Sequence, residues 1–275
     1  MAKKTVKALV LRTAGTNCDE ETAFAFRHFG AQADLIHIQR LFERKADLKD
    51  YHILAIPGGF TYGDDIMSGK ILANELRLRL GEDTRRFISD GKLAIGICNG
   101  FQVLVRAGFL PGGLNGTSVS GGKADMDFAQ TVTLTYNDSG KFEDRWTYLI
   151  PSGRCVWAQG IEDILFIPVA HAEGKFVPQN ETVLRQLQDG GHIVFRYCNE
   201  KGQSAHYPYN PNGSVDDIAG ITDTTGRILG LMPHPERHFH FTQHPYWTRR
   251  DKTGMYGDGA QIFQNGVNYV KKHLL

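Results

Sequence analysis

The run Leu93-Ala94-Ile95-Gly96-Ile97-Cys98-Asn99-Gly100-Phe101-Gln102 limits what this chain can become more than any other stretch. Its first five residues read as a buried strand. They deliver a cysteine with glycine two residues before it and two after, and a helix-like segment, Phe101 to Arg106, comes directly after. Gly-x-Cys-x-Gly between strand and helix is the cysteine form of the nucleophile elbow, a sharp turn that exposes its reactive atom at the apex. Small neighbours are needed because such a turn crowds its own backbone. The N-terminus of the adjoining helix favours the thiolate, the nucleophilic form. Covalent acyl transfer through a thioester at Cys98 is the chemistry expected. An isolated buried cysteine is usually inert packing, and the flanking glycines argue against that here. Cys18, Cys155 and Cys198 have no such context and read as structural.

An elbow of this kind belongs on an α/β sheet, and the surrounding sequence agrees. Val6 to Leu11, Ala33 to Ile38 and His52 to Ile56 read as strands, and a helix is predicted to begin near Asn17 with Asp19, Glu20 and Glu21 in its first turn. Residues from about Lys70 to Ser89 carry helix-forming side chains. Strands alternating with helices imply a mostly parallel central sheet flanked by helices, with active sites beyond the carboxyl ends of the strands. Pro57-Gly58-Gly59 and Cys98 both fall there. Past Gly108 the pattern changes. Leu110 to Gly122 reads as loop, and Thr131 to Tyr136, Ile164 to Val169 and His192 to Tyr197 alternate with period two, predicting an added antiparallel β portion in the C-terminal half. A short helix is predicted over Glu181 to Gln188, a hairpin over Ile218 to Met232, and a final helix from Ala260 to about Lys272. No convincing linker divides residues 1–275, so one domain is expected.

Composition removes several function classes. The formal net charge is +1 with no long run of one sign, which gives no electrostatic case for a nucleic-acid or membrane partner. No apolar stretch approaches a bilayer span, the start does not read as a signal peptide, and four separated cysteines without CxxC pairing fit a reducing, cytoplasmic setting.

A cysteine nucleophile needs a base, and the base an orienting group. Met232-Pro233-His234-Pro235-Glu236-Arg237 offers both. A residue before proline is pushed to an extended conformation, so His234 should not be helical, and in an extended segment Glu236 projects to its side. A surface turn with incidental charges fits the same hexapeptide when it is read alone. Pro57-Gly58-Gly59-Phe60 ends a strand with backbone able to point amides into a cleft. The amides of Gly59 and Asn99 form the natural oxyanion pair, although a plain strand-end turn is the simpler reading of a lone glycine pair. His234, His238, His240 and His244 raise a metal reading, but their segment is irregular and has no Cys or carboxylate at ligand spacing. A packed or partner-facing aromatic loop is expected, with no metal site. No phosphate-loop or dinucleotide motif occurs.

The runs Pro57 to Asp64, Gly96 to Gln102, Asn210-Pro211-Asn212-Gly213-Ser214 and Gly230 to Arg237 together resemble the class I (triad) glutamine amidotransferases. Within that family they are most similar to the glutaminase subunits of phosphoribosylformylglycinamidine (FGAM) synthase, over residues 5 to 237 and the last helix. The resemblance implies a Cys98–His234–Glu236 triad that hydrolyses L-glutamine to glutamate and ammonia. It implies a glutamine pocket that includes Phe60, Gln102, Asn210, Asn212 and Ser214, with His171 and Glu173 near it. Ammonia would pass to a separate FGAM synthase synthetase subunit, which would hold ATP and Mg, and a small third subunit is expected with it. No cofactor is expected in this chain.

Two stretches, about 112–136 and 238–256, look like insertions relative to compact members of the family. The sequence Asp65 to Lys70 also departs from the expected run. Other readings are an amidotransferase feeding GMP, CTP or carbamoyl phosphate synthesis, a gamma-glutamyl hydrolase, and a scaffold subunit with a vestigial triad.

Overall fold

Short apolar runs closed by turns become the strands of one sheet, and the segments between them become its helices. The computed structural model describes residues 5–64, 67–114, 130–204, 206–250 and 254–275. In chain order the elements are β1 (Lys7–Arg12), α1 (Asp19–His28), β2 (Gln32–His37), α2 (Ile38–Phe42), β3 (Ile53–Ile56), α3 (Lys70–Arg79), α4 (Gly81–Ser89), β4 (Leu93–Ile97) and α5 (Asn99–Arg106). Then come β5 (Val132–Thr135), β6 (Glu143–Pro151), β7 (Leu165–His171), β8 (Lys175–Pro178), α6 (Glu181–Asp189), β9 (Ile193–Cys198), β10 (Ile218–Thr222), β11 (Ile228–Leu231) and α7 (Ala260–His273).

Nine strands form one sheet in the order β2-β1-β3-β4-β11-β10-β9-β6-β7. Pairings from β2 through β11 are parallel, and those from β11 to β7 are antiparallel. The antiparallel portion predicted for the C-terminal half is therefore a continuation of the parallel sheet. Strands β3 and β4 are buried at every residue, as strands covered on both faces must be. Helix α1 packs on β1, β2 and α7, while α5 packs on β3, β4, β11 and α3. The remaining strands, β5 and β8, pair as an antiparallel ribbon. Phe176 of β8 stacks on Phe101 of α5, 6.3 Å apart, so the ribbon fastens the helix that begins after Cys98.

The placement of β11 decides the chemistry. It lies beside β4 in parallel register, with Leu231 opposite Ile97. Both strands end at the same edge of the sheet, so the turn leaving Ile97 meets the turn leaving Leu231.

One expectation needs correction, and three elements were not foreseen. The helical stretch over Lys70 to Ser89 is two helices, because Leu80 leaves helical geometry (φ −122°, ψ 11°) ahead of Gly81, a poor helix former. Strands β6 and β8 and the short helix α2 had no counterpart in the sequence reading. Strand β6 mixes charged and aromatic residues and is only partly buried, so it lacks a clean period. The 112–136 stretch lies largely outside the described residues, as do Asp65 and Ile66.

Candidate active site

Cys98 sits at φ 52°, ψ −106°, a left-handed conformation that a non-glycine residue adopts at a cost of about 1–3 kcal/mol. Two close approaches explain the flanking glycines. A Cβ on Gly96 would lie 2.4 Å from the Gly100 carbonyl oxygen, and one on Gly100 would lie 1.8 Å from that of Ile56. The turn therefore closes only with glycine at both places. The Cys98 amide donates to the Leu231 carbonyl at 2.8 Å, fastening the elbow to β11.

Three residues beyond Leu231, His234 is held by its own amide donating to Pro168 O at 2.8 Å. Its backbone is extended (φ −103°, ψ 89°), as the next residue, a proline, requires. Glu236 lies in a single 3-10 turn, Pro235–His238, so a turn brings the two side chains together and strand alternation plays no part. Nδ1 of His234 and Oε1 of Glu236 are 2.6 Å apart, and both side chains are buried. Burial opposes a charge on the imidazole, but the Glu236 carboxylate and the Cys98 sulfur outweigh it. They hold His234 well above the usual histidine range. Glu236 also assigns the Nδ1 proton, leaving Nε2 for the nucleophile.

The thiol of Cys98 is turned toward Ala170 O, 3.6 Å away, and Nε2 of His234 makes no hydrogen bond. Cys98 nonetheless ranks among the groups that raise His234, so the two side chains are close enough to sense each other. Long or misaligned nucleophile–base contacts are common before substrate binds.

A cavity of about 160 Å³ opens beside the sulfur. Its volume matches the liquid-volume share of about five waters, enough for one amino-acid side chain. It is lined by Gly59, Phe60, Ser68, Cys98, Gln102, Ala170, His171, Ala172 and Glu173. Larger cavities of about 430 and 500 Å³ lie elsewhere. The only thiol at either is Cys155, which burial pushes up to about 12 and keeps inert.

Gly59 is fixed by an antiparallel bridge to Thr16, and Asn99 heads α5 directly after the nucleophile. A hydrogen-bonded chain runs from Thr61 through Asn99 and Gln102 to Glu173. Thr61 Oγ1 donates to Asn99 Oδ1 at 2.6 Å, Asn99 Nδ2 to Gln102 Oε1 at 3.0 Å, and Gln102 Nε2 to the Glu173 carbonyl at 2.5 Å. The carboxylate of Glu173 is buried and lies 3.6 Å from the Arg106 guanidinium, and its Oε2 makes no hydrogen bond. Polar side chains and the nucleophile thus line a space sized for one small side chain, and the oriented base stands next to the nucleophile outside that lining.

Residues 5–270 match the CobB/CobQ-like glutamine amidotransferase domain. The chain belongs to that family. It is 47% identical over 269 residues to the phosphoribosylformylglycinamidine synthase subunit PurQ of Dehalococcoides mccartyi, covering 97% of this chain and 98% of that one. The subunit of the same name from Archaeoglobus fulgidus is 42% identical over 285 residues, with 99% and 100% covered. Among solved structures, that of PurLQS from Thermotoga maritima superposes with a TM-score of 0.71 at 27% identity, over 97% of this chain and 100% of that one.

Several residues expected in this amidotransferase's pocket stand one layer behind it. Asn212 Nδ2 donates to the Gly174 carbonyl at 2.9 Å and to Tyr197 Oη at 3.3 Å. Ser214 Oγ donates to Asn212 Oδ1 at 2.7 Å and accepts from the Phe176 amide at 2.9 Å. Asn210 Oδ1 accepts from the Gly213 and Ser214 amides at 3.0 and 3.2 Å. The Asn210–Ser214 loop thus braces the strand end that carries Ala170 to Gly174. His171 does line the cavity, but its ring is held by Asn137 Oδ1, 3.1 Å away. Burial pushes its pKa down to about 3, so it is neutral. Phe60 forms the exposed rim and stacks on Phe142 at 6.3 Å.

The four C-terminal histidines do not converge as a set. His238 Nδ1 lies 2.7 Å from Phe166 O, His244 Nδ1 accepts from the Tyr246 amide at 3.0 Å, and His240 packs on Phe24. His240 bridges to Tyr256, and Phe239 and Tyr256 lie against α1 at Phe24 and His28. Sequence reasoning missed Cys18. Read as structural, it lies 3.8 Å from His234 Nδ1. It also missed Thr61, Ser68 and Asn137. Only the adjacency of Thr61 to the glycine pair was visible in advance.

Proposed function

We infer that the chain is the glutaminase subunit of a phosphoribosylformylglycinamidine synthase. Register carries this reading: β4 and β11 end side by side, which brings Cys98 to a histidine whose far nitrogen lies 2.6 Å from a buried carboxylate. The Cys98 thiol gives its proton to His234 Nε2, its sulfur adds to the side-chain amide carbon of L-glutamine, and the developing oxyanion is taken by the amides of Gly59 and Asn99. His234 gives its Nε2 proton to the departing nitrogen, the C–N bond breaks, and ammonia leaves a glutamyl thioester on Cys98. Water then attacks the thioester carbon, His234 takes a proton from it, and glutamate is released as the thiolate reforms. Throughout, Glu236 holds the imidazole tautomer and balances its charge.

Gln102 closes one side of the glutamine pocket, and the Glu173 carboxylate is placed to accept the substrate's α-ammonium group. Phe60 covers the rim, and the Asn210–Ser214 loop and His171 position the wall. The ammonia goes to a synthetase subunit that uses ATP and Mg to turn formylglycinamide ribonucleotide into formylglycinamidine ribonucleotide. The subunit names of the relatives support this acceptor, and a small third subunit completes the assembly. The setting is the cytoplasm; among the described residues, no helix is long and apolar enough to cross a membrane.

The test is reconstitution with the host's synthetase. Cys98→Ala should lower glutamine-dependent synthesis by about 10⁴-fold or more while ammonia-dependent synthesis survives. Loss of both activities would assign Cys98 to folding or docking. Full glutaminase activity of the isolated chain would remove the case for a partner-controlled subunit.

A further inference from the structure

Cys18 lies against the triad, and the proposed reaction does not use it. It stands at the start of α1, with its amide donating to Gly58 O at 3.3 Å, and its sulfur lies 3.8 Å from Nδ1 of His234. One donor atom from each of Cys18, His234 and Glu236 falls within 4.8 Å of the others. The second oxygen of Glu236, Oε2, is buried without a hydrogen-bond partner, on a side chain with 0% exposure. Thiolate, imidazole and carboxylate form the mixed donor set of a zinc site with an open fourth position. Tetrahedral zinc with usual bond lengths places its sulfur and nitrogen donors about 3.6 Å apart, close to the 3.8 Å found. It places its nitrogen and oxygen donors about 3.4 Å apart, so Glu236 must give up the 2.6 Å contact of Oε1 with Nδ1 and turn its unpartnered Oε2 to the ion.

We propose that Cys18, His234 and Glu236 form an inhibitory site for Zn²⁺. The ion takes Cys18 Sγ, His234 Nδ1 and a Glu236 oxygen, and water fills the fourth position. Two protons leave, one from the Cys18 thiol and one from imidazole Nδ1. One dication replaces two protons, so the net charge of the buried cluster is unchanged. Buried charge is costly unless compensated, and this exchange adds none.

Arg237 is the cation facing the cluster, with Nη2 donating to Cys18 Sγ at 3.1 Å. Its Nε also lies 3.2 Å from Glu21 Oε1, and its side chain is 37% exposed, so it can move outward onto Glu21 and open a way in. Asn17, whose Oδ1 accepts from the Cys18 thiol at 3.1 Å, loses only that donor. With zinc on Nδ1 and a proton on Nε2, the imidazole is neutral and has no lone pair to accept a proton. The base is disabled while Cys98 is untouched. Zinc binding itself does not depend on the identity of the substrate or the acceptor.

Co²⁺ titration of the full chain tests the site, because a cysteine thiolate bound to cobalt gives a charge-transfer band in the near ultraviolet. The band is expected in the unaltered protein and in Cys98→Ala, and should be absent in Cys18→Ala. Glu236→Gln in the Cys98→Ala background should weaken Co²⁺ binding by about tenfold or more, the scale on which lost support alters metal affinity. That variant keeps the test decisive if Cys18→Ala does not fold. In glutaminase assays, whatever its basal rate, Cys18→Ser should need at least about tenfold more Zn²⁺ for half-inhibition. A band that persists in Cys18→Ala, disappears in Cys98→Ala, or never forms overturns the proposal. So does unchanged zinc sensitivity in Cys18→Ser.

Discussion

The parallel and antiparallel halves of the sheet make different contributions to one site. The parallel half ends in turns that carry reacting groups: Gly59 after β3, Cys98 after β4 and His234 after β11. The antiparallel half ends in braces. Its Ala170 to Gly174 wall is held by Asn137 and Asn212, whose side-chain amides donate to the His171 and Gly174 carbonyls, and Ser214 braces Asn212 from behind. Parallel strands stop together at one edge, so groups distant in sequence meet there. Antiparallel strands alternate direction, so their ends need loops and buried polar networks to build a surface.

Changes in the parallel half should therefore strike rate, and those in the antiparallel half should strike binding and stability. After Cys98→Ala, the largest effect is expected from Glu236→Gln, a loss of about 10²–10⁴ in kcat by analogy with orienting carboxylates in other triads. Glu236 raises His234, so the same variant should shift the alkaline limb of the pH–rate profile to lower pH. An unmoved limb would show that the carboxylate does not set the imidazole. Next comes Gly100→Ala. The new methyl would sit on the Ile56 carbonyl and push the elbow off its geometry, so kcat should fall by about 10²-fold, beside an overpacking cost of about 1–3 kcal/mol read by denaturant unfolding.

In the other half, Asn212→Ala leaves the Gly174 carbonyl and Tyr197 hydroxyl short of a donor. A cost of about 1–3 kcal/mol is expected, with KM for glutamine raised more than kcat is lowered. A kcat loss equal to that of Glu236→Gln would erase the division between the halves. Glu173→Gln should act more gently still, raising KM at nearly constant kcat. Glutamine analogues lacking the α-amino group should lose their disadvantage in that variant.

The smallest effect is a drift with pH. His171, His238 and His244 are all held below their ordinary value of 6.5, chiefly by burial, and His52 of the parallel half adds to them. Below pH 6.5 the unfolded chain binds protons that these folded histidines refuse, so stability falls as pH falls, and His171 continues the loss toward about pH 3. His234 works in the opposite sense: its stabilising contribution is present at low pH and fades as pH rises through its raised value. Thermal melts between pH 7 and 4 should show a falling Tm, and His171→Asn should flatten the slope.

The same division governs what the sequence made legible. Strands β1, β3 and β4 are apolar runs bounded by turns, and their positions were readable within a residue or two. The elbow was readable because its backbone geometry demands glycine at two fixed places. The contact of His234 with Glu236 was expected for the wrong reason, since a 3-10 turn makes it. Strand β6 stayed hidden because an antiparallel strand with one open face can carry Asp144 and Arg145 without penalty. The Asn210–Ser214 loop could be tied to the site but not to its layer, because the depth of a polar side chain depends on which carbonyls need donors. The place of Cys18 was hidden for the same reason. Nothing in Asn17-Cys18-Asp19 says that a histidine 216 residues away will lie against the sulfur.

The central position of β11 has a consequence for the chain's synthesis. Cys98 leaves the ribosome long before His234 exists, and until Ile228–Leu231 inserts between β4 and β10 the edge of β4 stays unpaired. The nascent chain therefore carries its nucleophile without a base and can split no glutamine before the sheet closes. Over that interval its hazard is aggregation at an open strand edge, the kind of surface that chaperones shield.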